Sequence, residues 1–210
     1  MASETHSHDD LLHLEHRDDV AGRTGMWLFL FTEIMLFGAL FIAYAVYRAN
    51  YSVEFHASAL HLNLAFGSFN TFVLLTSSLT MVLSITALRR NDRDLSICFL
   101  LSTIGLGLLF MVNKFFEWRE KYHHGLFPGL EEITKLPHGE SLFYYLYFVM
   151  TGLHGLHVLA GVTLLTVMLI WLIQGKFTPD RYLALDNSGL YWHLVDLVWI
   201  FLLPLFYVAT

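Results

Sequence analysis

The chain has 210 residues, of which 56% are hydrophobic and only 14% charged, with a mean hydropathy of +0.54. Soluble domains carry roughly 25% charged residues, so this composition excludes an ordinary water-facing surface and makes lipid the natural solvent. A net charge of −6 argues against nucleic acid as a partner, and the single cysteine, Cys98, excludes an internal disulfide framework and any multi-cysteine metal site.

Residues 1–24 read as a polar, acidic, histidine-rich tail. His6, His8, His13 and His16, with Asp9 and Asp10, are metal-capable types, but their irregular spacing favours a solvated tail. The stretch lacks the basic region and apolar core of a signal peptide, so the first span is expected to insert and stay.

Five apolar stretches follow, at about 26–47, 62–88, 95–116, 142–173 and 190–208, each near the ~20 residues a helix needs to cross a hydrocarbon core. They are too long and too continuously apolar for barrel strands, and helices satisfy each segment's backbone on its own. The expected fold is an all-α, polytopic membrane bundle of five transmembrane helices in one domain, 25–210. Turn chemistry marks the boundaries at Asn91–Asp94, Phe127-Pro128-Gly129, Pro137-His138-Gly139, Gln174-Gly175 and Thr178-Pro179. Basic flanks orient the chain: Arg17, Arg23, Arg89, Arg90, Arg93, Lys176 and Arg181 lie on the N-terminal side, against Arg48, Arg119, Lys121 and Lys135 on the other. The bias places the N-terminus in the cytoplasm and the C-terminus outside.

An ionisable residue inside a span is expensive and needs a reason. The first span carries Glu33 alone, a proton carrier or a hydrogen-bonded carboxyl that ties helices together. In the second, Asn70, Ser77 and Ser84 recur every seven residues with Thr71, Ser78 and Thr80 alongside. This is a stripe of interhelical glue; a water path would need matching stripes on other helices. In the third, Lys114 and Glu117 share a face at i, i+3. They read as an ion pair near the helix end whose heads snorkel to the interface.

The fourth span, roughly 48 Å long at 1.5 Å per residue, places His154, His157 and Gly161 on one face. Imidazoles are metal and haem ligands, yet one helix supplies only two nitrogens here. With Gly152, Gly155 and Gly161 present, close helix packing with histidines bonding across the contact is the favoured reading. In the fifth, Tyr191 and Trp192 resemble interfacial anchors, Pro204 permits a late kink, and His193 and Asp196 are expected to hydrogen-bond along the helix as a structural pair. No Ser or Cys nucleophile completes a catalytic set with them.

These stretches resemble, span by span, subunit III of the haem-copper respiratory oxidases of cytochrome c or quinol type. The first, Trp27 to Phe37, is similar to the family's glutamate-bearing helix; the second offers Asn70-Thr71 and Ser77-Ser78-Leu79-Thr80. The third ends in Glu117-Trp118 where members usually have Glu-Tyr. The fourth carries Thr-Gly-x-His-Gly-x-His-Val at Thr151–Val158, and the fifth Tyr-Trp-His-x-Val-Asp-x-Val-Trp at Tyr191–Trp199. The chain looks like the short five-helix bacterial type; Lys114 stands where many members have glutamine.

The resemblance implies a non-catalytic core subunit of the bacterial cytoplasmic (inner) membrane, with no cofactor of its own. It would pack against subunit I, with haem and copper in partner subunits, bind phospholipid, and support proton delivery and sustained turnover. Glu33, Lys114, Glu117, His154, His157, His193 and Asp196 then become structural or proton-related groups, neither catalytic residues nor metal ligands. The same motifs also fit a subunit-III-like accessory protein of a nitric oxide reductase. Two more distant readings are a haem-binding electron carrier using His154, His157 or His193, and a transporter with Glu33 and Lys114 in its path.

Overall fold

A computed structural model describes the backbone of residues 2–179 and 181–208 and the side chains of residues 20–179 and 181–207. The N-terminal histidines and Asp9 and Asp10 therefore lie outside the described side chains. Seven α-helices follow in order: α1 (Ala2–Asn50), α2 (Ser52–Ala59), α3 (Leu64–Arg89), α4 (Arg93–His123), α5 (Glu131–Thr134), α6 (His138–Ile173) and α7 (Leu183–Leu203). A π-helical turn, Pro204–Val208, closes the described chain. Five helical segments are long and apolar enough to span a membrane: Val20–Asn50, Leu64–Arg89, Arg93–His123, His138–Ile173 and Leu183–Tyr207.

Helices α3 and α4 begin where side chains answer their free N–H groups. Asn63 Oδ1 accepts from the N–H of Ala65 at 3.0 Å and caps α3, and Asp92 Oδ1 accepts from Leu95 N–H at 3.1 Å and caps α4. Between α3 and α4 the chain reverses within three residues, with Asn91 at φ 61°, a left-handed conformation that asparagine tolerates. The two helices form an antiparallel hairpin stitched by side chains: Asn70 to Asn113 at 3.0 Å, Thr80 to Thr103 at 2.8 Å, and Ser84 to Ser96 at 3.1 Å.

Helix α7 is the hub. Half of its most apolar window is buried, against 11% for α1, which lies at the periphery. Trp192 is fully buried and locks three neighbours. Its Nε1–H donates to Ser77 Oγ on α3 at 3.0 Å. Its ring occupies room left by two glycines, since a Cβ on Gly107 of α4 would stand 2.7 Å from it and one on Gly161 of α6 would stand 2.8 Å away. Trp192 was expected to be an interfacial anchor; it is instead the wedge of the core, because the turn preceding it, from Leu183, is already helical.

The expected polar stripe on α3 is glue in the described structure. Asn70, Ser77 and Ser84 are each fully buried and reach α4 or α7, while Thr71 accepts from Trp199 Nε1–H at 3.0 Å. Of the three glycines read as packing sites on α6, Gly161 meets a close neighbour. Gly152 would make an ordinary 3.4 Å contact with Trp118, and Gly155 faces no atom within 4 Å. The outward faces carry Trp27, Leu28, Phe31, Phe72, Leu79 and Phe115, all more than half exposed, which fits a hydrocarbon surround.

Candidate functional site

Among the described residues, two ion-paired clusters lie inside the spans, and Asp196 is a further buried carboxyl. The first joins α1 to α6. Glu33 Oε2 stands 2.7 Å from His157 Nε2, and His157 Nδ1 stands 2.8 Å from Leu153 O. A carbonyl only accepts, so Nδ1 carries a hydrogen. The Nε2–carboxylate contact then holds one proton, on either atom, and the pair is neutral overall in both cases. Phe37 meets the imidazole edge-on at 5.2 Å, and Tyr191 O–H donates to His157 O at 3.1 Å. Both side chains are 15% exposed, so the link sits at the edge of the bundle and anchors its most peripheral helix.

The second cluster is deeper. Lys114 Nζ donates to Glu117 Oε2 at 3.0 Å, to Tyr147 Oη at 2.9 Å and to Tyr207 Oη at 2.9 Å, which satisfies all three of its N–H groups. Tyr147 O–H donates to Glu117 Oε1 at 2.7 Å, and Tyr207 O–H donates to the same oxygen. The ammonium also lies 5.0 Å from the Trp199 ring centroid, within cation–π range. Each donor has an acceptor and the charges cancel, which is what a buried ion pair needs to persist.

The heads do not snorkel, contrary to the sequence expectation. Helix α4 runs on to His123, so Lys114 lies about 13 Å from its end. Both side chains face inward, 5% and 4% exposed. The π-helical turn beginning at Pro204 brings Tyr207 to the pair from the end of the chain. A small cavity of about 70 Å³, lined by His61, Asn63, Glu117, Glu120 and Lys121 among others, reaches Glu117 from the nearby helix ends. Lys121 Nζ donates to His61 O at 2.6 Å at that mouth.

The expected His193–Asp196 bond is absent from the described residues. Both side chains leave α7 toward α3, and each finds a serine there instead. His193 Nδ1 lies 2.6 Å from Ser78 Oγ, and Asp196 Oδ2 lies 3.5 Å from Ser77 Oγ. A serine hydroxyl on a neighbouring helix can align with either group better than a partner one turn along the same axis.

The two histidines of α6 also separate. His157 bonds across to α1, whereas His154 is fully buried beside α4 and α7, edge-on to Phe110 at 5.5 Å and against Trp199 at 5.2 Å. Neither of its ring nitrogens has a partner. Among the described residues no group of three or more His, Cys, Asp or Glu side chains is placed to hold a metal.

Sequence reasoning missed Tyr147 and Tyr207, which lie 33 and 93 residues from Lys114. The available signal was the pair itself, because a buried cation and carboxylate leave hydrogen-bonding capacity that other side chains must fill. Asn113, Ser96 and Thr103, the partners of the α3 stripe, were likewise not singled out.

Comparison with known proteins points to one family. A family model described as cytochrome c oxidase subunit III matches residues 10–210. "Cytochrome c oxidase subunit 3" of Corynebacterium diphtheriae is 34% identical over 178 residues, covering 84% of this chain and 82% of the relative. The Synechocystis protein of the same name is 32% identical over 186 residues, 88% of this chain and 74% of its own length. "Heme-copper oxidase subunit I+III" of Aeropyrum pernix is 31% identical over 193 residues, 89% of this chain; the chain spans only 22% of that longer relative.

Proposed function

Because the chain belongs to the cytochrome c oxidase subunit III family, and is thus a subunit III of a haem-copper oxidase and a multi-pass protein of the bacterial inner membrane, we propose how it serves that complex. It is a non-catalytic core subunit that packs against subunit I, with its N-terminus in the cytoplasm. It binds phospholipid along its apolar outer faces, takes haem and copper chemistry from its partners, and eases proton delivery so that turnover is sustained.

One observation carries the subunit I contact: a relative that covers 89% of this chain is named as a subunit I+III protein. Two subunits joined in one polypeptide are held side by side. The internal pairing of Lys114, Glu117, Tyr147 and Tyr207 supports a scaffold role, since every N–H and O–H donor of the cluster is taken up within it.

Deleting the chain from its host and following oxygen consumption by the remaining complex tests this reading. The expected result is near-normal initial oxygen reduction followed by faster loss of activity during turnover. A complex without the chain that sustains turnover as long as the complete one would contradict it.

A further inference from the structure

Arg48 stands in the last turn of α1, two residues before the end of the span Val20–Asn50 and so about 3 Å from it along the helix axis. That is the level at which hydrocarbon gives way to headgroups. Arg48 is half-buried, and among the described residues it makes no ion pair and no hydrogen bond. The nearest carboxylate along the chain, Glu54, packs instead against Gly139 of α6, where an added Cβ would meet it at 2.8 Å.

Arg48 borders a groove of about 470 Å³ between α1 and the π-helical turn. Phe41, Ala45, Ala49 and Leu205 form its apolar lining, and the exposed Ser52 adds a hydroxyl beside Arg48. Ala45 and Ala49 are small and exposed, so the groove is open on its outward side. Phe41, seven residues before Arg48, lies about 10 Å further into the span. Tyr44 also lines the groove, but its hydroxyl donates to Leu205 O and is already taken.

Charge sets this groove apart. In the cavity between α3 and α7, Arg89 lies 3.6 Å from Asp186, so the protein answers its own cation. The groove between α1, α6 and α7 has no charged side chain in its lining. Here a cation and no carboxylate border an apolar trough. An anion with an apolar tail answers both features. A guanidinium grips phosphate oxygens through two parallel N–H···O bonds, and a basic side chain at this level favours anionic lipid.

We propose that this groove binds one anionic phospholipid, its phosphate held by Arg48 and the Ser52 hydroxyl. One acyl chain lies along Ala49, Ala45 and Phe41, against Leu205. The proposal rests on the reading above that the chain binds phospholipid, and gives that binding a place and a charge. The bound lipid bridges α1, the peripheral helix, to the turn that brings Tyr207 to Lys114.

Native mass spectrometry of the complete oxidase complex, exchanged into mixed micelles of phosphatidylglycerol and phosphatidylcholine, tests it. The parent is expected to keep phosphatidylglycerol in preference, and Arg48→Gln to keep one molecule fewer. Arg48→Lys retains the charge without the fork and should lose less. Ala45→Leu fills the groove from an exposed position, so it should release the same lipid with the charge in place and the core undisturbed. Unchanged phosphatidylglycerol in either Arg48→Gln or Ala45→Leu, or loss of phosphatidylcholine in its place, overturns the proposal and leaves the broader phospholipid reading standing. A parent complex that keeps neither lipid overturns both.

Discussion

Replacing Lys114 by methionine keeps the apolar stem and removes the ammonium, with its three hydrogen bonds to Glu117, Tyr147 and Tyr207. Glu117 is left charged, 4% exposed, with two phenols and no cation. Breaking a buried pair from one side costs about 3–5 kcal/mol, whereas removing both charges with groups of similar volume is often neutral. Little screening applies, because neither side chain of the pair reaches bulk water. Lys114→Met should therefore lose about 3–5 kcal/mol, and Lys114→Met with Glu117→Gln should recover more than half of it. Lys114→Gln should fall between, since an amide can still donate to the carboxylate. The assay is unfolding of the detergent-solubilised complex by titrated SDS, read as loss of this chain from the complex. A single-variant cost under about 1 kcal/mol, the size of an exposed pair, would refute the reasoning, as would a double variant no better than the single one.

Three other outcomes follow from the same geometry. Gly107→Ala and Gly161→Ala each drive a methyl group to within 2.8 Å of Trp192 and should cost about 1–3 kcal/mol by overpacking, measured as a lower retention of the chain in the SDS titration; an unchanged titration would mean that the ring moves freely. Tyr207→Phe removes one donor to Glu117 and one acceptor for Lys114 and should cost about 1–3 kcal/mol in the same titration, with Tyr147→Phe similar. Glu33→Gln keeps a partner for His157 Nε2, so assembly and oxygen consumption should stay near those of the parent. Strongly slowed oxygen reduction in an assembled Glu33→Gln complex would instead assign proton conduction to Glu33.

The five spans were legible because a hydrocarbon-crossing helix must be apolar for about 20 residues, and hydropathy reads that directly. Their ends were not. Helix α4 continues through Glu117-Trp118-Arg119-Glu120-Lys121, where backbone hydrogen bonding persists after hydropathy falls, and this error turned a buried pair into an expected interfacial one. The short α2 and α5 carry too few residues to show a period. Local pairings were uneven: Lys114–Glu117 followed from i, i+3 spacing, while the same spacing failed for His193 and Asp196, because serines on α3 competed. Contacts set by helix packing, such as Tyr207 against Lys114 or Trp192 between Gly107 and Gly161, have no signature in a single sequence. They depend on which helices become neighbours.

The central claim is that this bundle is built to sit in an oxidase rather than to act alone. Tagging the C-terminus, solubilising membranes in mild detergent and recording the absorption spectrum of the purified material tests it most directly. The account predicts that subunit I co-purifies in equal amount, that the preparation shows haem absorption, and that this absorption follows subunit I when the chain is stripped away by SDS. A colourless chain purified alone, or haem absorption that stays with the chain after subunit I is removed, would contradict it.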